Sequence, residues 1–395
     1  MAYLRTLNLT QDEFQYLLNI TSFTAEHNIT SFTAGHNVTL FQADKPETGC
    51  YCGEQVKKYA VQFRVLHGYV SLFLCVFGAL ANLLNIAVLT RKDLVGSPIN
   101  RILCGLAVAD LALMVEYMPF TCYMYLSTSK KEEFSHLGAV YVLLHTYVSQ
   151  VLHTTSIALT LILAMWRYIV VKLPNSMRSI CSDERCGTAI KLSYLLPFLV
   201  CSPTFLVFEI LETKVEENGQ TTTLYHLGIS SLAKVNQELL YMVHLWTYAV
   251  IIKLLPCCIL TAVTISLITA LSEASERKAK RLPTQQQMAR LRNMKLKRRM
   301  DRTSRIMIAV LLLFLATEFP QGILGLLSGI LGKRFFQTCY HLFGELMDML
   351  ALLNASLNFV FYCCMSKQFR VGFGQLFKAQ SSSICKPSNI LETFV

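Results

Sequence analysis

The sequence predicts an all-α membrane protein: a bundle of seven transmembrane helices. Three observations carry that prediction. Apolar residues make up 53% of the 395-residue chain and charged residues only 15%, with a mean hydropathy of +0.43, far from the composition of soluble domains. Seven apolar segments, about 66–90, 99–125, 137–171, 188–210, 237–271, 304–330 and 340–364, each reach the roughly 20 residues that a hydrocarbon core of about 30 Å requires. Twelve Lys and Arg fall between Arg277 and Arg305, in one loop between two apolar segments. That is where the positive-inside rule puts a cytoplasmic loop, so the net charge of +11 points to membrane topology and not to nucleic acid.

Residues 1–62 read as a polar, glycosylated extracellular tail. Asn8, Asn19, Asn28 and Asn37 each begin an N-x-Ser/Thr sequence, and three of them lie in the nine-residue repeat NITSFTAEH, NITSFTAGH, NVTLFQADK. Such acceptors need an exterior location. An odd number of crossings puts the termini on opposite sides, which agrees with the basic loop inside. Residues 63–365 form the bundle, and residues 366–395 a cytoplasmic tail. No Cys-x-x-Cys pair, metal-spaced His cluster or phosphate-binding Gly loop occurs, so nothing points to an enzyme.

The sixth segment is the unusual one. It carries Glu318 and Pro320 near its middle. An ionisable group in hydrocarbon is retained where it faces protein or a cavity. Proline removes one backbone hydrogen bond and bends the helix. Asp110 in the second segment likewise needs a partner, a cation or a proton. Asn354 and Asn358 in the seventh are four apart and share a face.

The ordered set resembles rhodopsin-like (class A) G-protein-coupled receptors over roughly residues 64–378. The matching residues are Asn82, Asp110 in LAVAD, Trp166-Arg167-Tyr168 with Pro174 beyond, Pro256, Phe314 with Pro320, and Asn358 through Tyr362 in NFVFY. Within that superfamily, TEFPQGILGLLSGILG, GELMDMLALLNASLNFVFYCCMSKQFR and HGYVSLFLCVFGALANLLNIAVLTRKDL are similar to invertebrate FMRFamide and myosuppressin receptors. The resemblance implies a plasma-membrane receptor with its C-terminus in the cytoplasm, an amidated RFamide-type neuropeptide as ligand, and a heterotrimeric G protein and arrestin as partners. A different amidated peptide, of myoinhibitory or sex-peptide type, is the alternative ligand. A transporter is the alternative class, although no inverted repeat is visible.

On that resemblance, Glu318, Pro320, Phe314, Arg167, Tyr168, Asn358 and Tyr362 form the activation switch, with Glu318 standing where the superfamily carries tryptophan. Trp166 replaces the acid that normally precedes Arg167, so Asp301 either holds Arg167 or caps the sixth helix. Asp110, Ser156, Asn354 and Asn358 match positions that bind sodium, and the alternative is a hydrated polar network; no other cofactor is implied. A cationic Arg in the ligand wants a carboxylate, and Asp348, Glu345 and Glu116, in that order, are the candidates. Gln321 is placed to meet the terminal amide, and Tyr117, His145, Tyr147, Trp246 and Tyr123 are candidate aromatic contacts.

The disulfide usual between the third helix and the second outer loop is missing, because residues 136–145 and 211–236 contain no Cys. Cys50 or Cys52 with Cys339 is the expected replacement. In the second outer loop, Asn218-Gly219 between β-prone arms predicts a β-hairpin. Beyond the seventh segment, Phe369, Phe373 and Phe377 at four-residue spacing predict a short amphipathic eighth helix on the membrane lipids. Thr393 and Val395 fit a PDZ-domain ligand.

Overall fold

The computed structural model describes residues 52–127, 135–172, 182–217, 220–235, 239–280, 312–332, 335, 339–365 and 369–376. Contacts divide the chain into two compact units, Met1–Gln62 and Phe63–Val395. Several expectations lie outside the described residues: the four glycosylation sites, Cys50, Pro174, the Asn218-Gly219 turn, Asp301, the Tyr362 side chain, Phe377, Thr393 and Val395. All that follows concerns the second unit, except where Cys52 is named.

The helices are α1 (the span Leu66–Leu89), α2 (Pro98–Thr121), α3 (His136–Lys172), α4 (Asp183–Cys201), α5 (three stretches from Leu239 to Lys280), α6 (residues 312–331) and α7 (His341–Met365). The first six carry windows long and apolar enough to cross a membrane. Helix α7 has 25 residues, about 37 Å at 1.5 Å per residue, which is also sufficient. Large apolar side chains such as Phe73, Leu80, Leu199 and Ile265 stay exposed, whereas Asn82, Asp110, Ser156 and Glu318 are buried. This inverts the soluble pattern, as expected where the surroundings are lipid.

Two helices depart from plain α geometry. Helix α2 contains Pro119 and runs on into a π-helical stretch, Cys122–Leu126. Helix α5 is α-helical over Leu239–Trp246, π-helical over Thr247–Leu254 and α-helical again from Leu255. Pro256 follows immediately and has no N–H to return to the preceding turn. A π turn closes i to i+5, so Tyr248 and Lys253, five apart, come onto one face. The Lys253 ammonium then sits 5.5 Å from the centre of the Tyr248 ring.

Helix α6 meets α5 through Gly322, Gly325 and Gly329. A Cβ at Gly322 would lie 2.8 Å from Leu254, and one at Gly325 would lie 2.9 Å from the Ala249 Cβ. The two backbones approach closely because those side chains are missing. Elsewhere the core is apolar. Leu74, Cys75, Leu113, Met114 and Leu352 join α1, α2 and α7, and Ile157, Cys257, Leu260 and Phe314 join α3, α5 and α6.

Sequence reading places the fourth segment at 188–210, but α4 ends at Cys201. A short helix Pro203–Val207 follows, and from Phe208 the backbone is extended. Strand β1 (Phe208–Glu217) pairs antiparallel with β2 (Gln220–Ile229), in register from Phe208↔Ile229 to Glu217↔Gln220. The apolar run ends late because Phe208, Ile210 and Leu211 belong to this sheet. The sheet is anchored on α3 by the Tyr225 ring, edge-on to His136 at 5.1 Å. Val207 packs with Tyr241 and Leu245 of α5 below it. Past α7, residues 369–376 are helical. Phe369 is buried, and both it and Phe373 meet Phe359 of α7, with centroids 6.1 and 5.7 Å apart.

Candidate functional site

Three polar clusters line the interior. The first ties α2, α3 and α7 together. Asp110, fully buried, accepts from the Ser156 hydroxyl at 2.6 Å and from Asn358 Nδ2 at 2.6 Å. Asn82 donates to the carbonyls of Gly78 and Ala355 at 3.0 and 3.2 Å, bringing α1 onto α7. With Asp110 ionised, its two bonds are charge-assisted and about twice as strong as neutral ones such as those of Asn82. The carboxylate, the hydroxyl and the Asn358 amide so gathered are hard oxygen donors, of the chemistry that suits a sodium ion. Among the described residues, no group of three or more His, Cys, Asp or Glu is placed to hold a metal.

The second cluster is built on Glu318, which lies fully buried in α6. Its Oε2 accepts from Lys253 Nζ of α5 at 2.8 Å, and His153 Nε2 of α3 lies 3.0 Å away. Lys253 is itself 1% exposed. An unpaired charge at this depth would be strongly unfavourable; here carboxylate and ammonium compensate one another. Gln321, one turn further along α6, donates from Nε2 to the Tyr248 hydroxyl at 2.6 Å. Glu318 Oε1 and Gln321 Oε1 are buried without a hydrogen-bond partner among the described residues. Lys253 and His153 are the functional residues that sequence reasoning missed. Glu318 was a signal for them, since a buried acid calls for a cation within reach.

The third cluster lies in the half of the bundle that carries the sheet. The three candidate acids are all there, in different circumstances. Glu345 pairs with Arg64, in the helical turn leading into α1, at 3.3 Å. Glu116 meets His145 Nδ1 at 2.6 Å, and the Phe120 ring stacks on that imidazole. Asp348 accepts only from the Tyr117 hydroxyl, at 3.3 Å, and makes no ion pair among the described residues. Tyr117 also touches His67 and stands edge-on to His145.

The other expected contacts divide. Tyr123 is edge-on to Tyr141. Tyr147 turns to α4, donating its hydroxyl to the Phe198 carbonyl at 3.0 Å. Trp246 is 39% exposed and lies over Gly329. These two are not gathered with Tyr117, His145 and Asp348. Of the switch residues, Phe314 is buried between α3 and α5 below Glu318. Arg167 and Tyr168 lie half-buried in the last turns of α3. Cys52 and Cys339 are each disulfide-bonded.

Apolar helices closed around compensated charges are the make-up of a polytopic membrane protein. The chain belongs to the family of serpentine type 7TM GPCR chemoreceptors Srw, whose model matches residues 69–380. It is a G-protein-coupled receptor, and the transporter alternative lapses. It is 29% identical over 374 residues to the G-protein coupled receptor dmsr-1 of Caenorhabditis elegans, covering 84% of this chain and 73% of that protein. Identity to the sex peptide receptor of Drosophila melanogaster is 27% over 319 residues, covering 79% and 72%. Identity to the FMRFamide receptor of the same fly is 22% over 318 residues, covering 80% and 54%.

Proposed function

We propose that this chain is a rhodopsin-like receptor of the plasma membrane, with its N-terminus outside, for an amidated RFamide-type neuropeptide. The single observation that carries the reading is the state of the three acids. Glu345 and Glu116 already have basic partners, whereas among the described residues Asp348 has only a tyrosine hydroxyl. A ligand guanidinium would complete Asp348, and Tyr117, Phe120 and His145 supply an aromatic wall beside it. Similarity to a neuropeptide receptor named for FMRFamide supports the same ligand class.

Agonist contacts that favour one packing of α6 over another shift the population of receptor states. Phe314 repacks below Pro320, and the end of the bundle around Arg167, Tyr168 and Tyr362 opens to a G-protein helix. A sodium ion at Asp110, Ser156, Asn354 and Asn358 would weight the same equilibrium. Arrestin, a PDZ-domain protein at Thr393 and Val395, and lipid contacts of residues 369–376 complete the partners.

The test is a G-protein activation dose-response in cells, using FMRFamide, a myosuppressin, and FMRFamide with its Arg replaced by Gln. Removing one charge-assisted bond is worth about 1.5–3 kcal/mol, so Asp348→Asn should raise the half-maximal concentration roughly 10- to 150-fold. The same variant should respond almost equally to the Arg and Gln peptides. Wild-type silence to both natural peptides, with surface expression verified, would sink the ligand class and leave the receptor fold. Response to a sex-peptide or myoinhibitory peptide instead would select the second reading, which the sex peptide receptor relative favours.

A further inference from the structure

Among the described residues, two hydrogen-bond acceptors stand bare in the middle of the bundle. Glu318 commits Oε2 to both Lys253 and His153, and its Oε1 has no partner. Gln321 commits Nε2 to Tyr248, and its Oε1 has no partner. The residues are three apart on α6 and share a face; Glu318 is 0% exposed and Gln321 8%. Each buried acceptor without a donor keeps its full desolvation penalty. A pair of them one turn apart is met by a group that brings two donors.

The neighbouring atoms narrow that group further. Lys253 carries three N–H donors, one of them directed to Glu318, so an acceptor is also wanted beside the pair. The group is not a second cation, because Lys253 and His153 already face the carboxylate. It is not a carboxylate, which would turn lone pairs toward two oxygens. A neutral primary carboxamide has two N–H donors and one carbonyl acceptor. We propose that Glu318 Oε1 and Gln321 Oε1 receive the two N–H groups of the ligand's terminal carboxamide, and that Lys253 donates to its carbonyl.

This assignment rests on the amidated-peptide reading above and gives it a chemical basis for rejecting free acids. It also sets the ligand's direction, with its amidated end deep between α5 and α6 and its Arg toward Asp348.

The experiment compares FMRFamide, its N-methylamide and its free acid on the full-length receptor, with surface expression measured for each variant. Wild type should rank amide, methylamide, acid, since the methylamide keeps one donor and the acid none. Gln321→Met removes one acceptor at similar length, and should lower amide potency roughly tenfold while leaving the acid unchanged. Glu318→Gln alone strands Lys253 and risks misfolding, so it is combined with Lys253→Met, which removes both charges together. In that double variant the amide-to-acid ratio should shrink by about tenfold or more, because a carboxylate no longer meets a charge. An unchanged ratio in both variants, with Asp348→Asn still losing potency, would overturn this assignment alone and leave the two oxygens to water. No response of wild type to amidated peptide would overturn it together with the peptide reading.

Discussion

Lys253 of α5 and Glu318 of α6 meet at 2.8 Å with both side chains at 1% exposure or less. The pair holds α5 and α6 together in the interior of the bundle. Removing one partner strands the other charge, at a cost of about 3–5 kcal/mol, whereas replacing both together is often neutral. Lys253→Met and Glu318→Gln should each lower the melting temperature of detergent-solubilised receptor, and the double variant should recover most of the loss. Additive losses in this cycle would show that the two side chains are not coupled.

The close approach of α5 and α6 depends on Gly325, where a Cβ would lie 2.9 Å from the Ala249 Cβ and 3.4 Å from its Cα. A backbone neighbour cannot rotate away. Gly325→Ala should therefore destabilise the receptor by about 1–3 kcal/mol. The control is Gly344→Ala in α7, where a Cβ meets nothing within 4 Å; there the gain in helix propensity should stabilise by about 0.5–1 kcal/mol. Thermal melts of the two single variants decide it, and equal shifts would refute the steric account.

Glu345 and Asp348 make a contrasting pair. The Arg64 side chain opposite Glu345 is 49% exposed, and exposed ion pairs contribute about 0–1 kcal/mol. Glu345→Gln should change peptide potency less than roughly fivefold, well short of the loss at Asp348→Asn. A larger effect at Glu345 would exchange the roles of the two acids.

At the first cluster, replacing choline chloride by sodium chloride should reduce peptide potency in wild type and have no effect in Asp110→Asn. That variant also exchanges a charge-assisted acceptor for a neutral amide, weakening its bonds from Ser156 and Asn358. Equal curves in both salts for wild type would leave this cluster a network of hydrogen bonds without an ion.

Much of this arrangement was readable from residue types. Asp110 was visible as a buried acid in need of donors, and the family resemblance set Ser156 and Asn358 beside it. Glu318 was visible as a charge that hydrocarbon would not tolerate. Lys253 was not visible as its partner. One lysine within a long apolar run barely alters segment hydropathy. At 100° per residue, moreover, an α-helix turns positions five apart about 140° away from each other. Only the π winding before Pro256 brings Tyr248 and Lys253 onto one face, and composition does not mark where a helix widens. That Tyr147 turns toward α4 was not legible either: in lipid a helix shows apolar side chains outward as well as inward, so periodicity does not say which face looks inward.

The contact between His136 and Tyr225 occupies the stretch where neither strand nor helix supplies a cysteine. A disulfide at such a joint would rearrange, uncatalysed, only over minutes to hours; two rings part and meet again with ordinary side-chain motion. The sheet is thus joined to α3 by a latch instead of a weld. A reducing agent has nothing to cut there, and it acts instead on disulfides elsewhere, those of Cys52 and Cys339 among them.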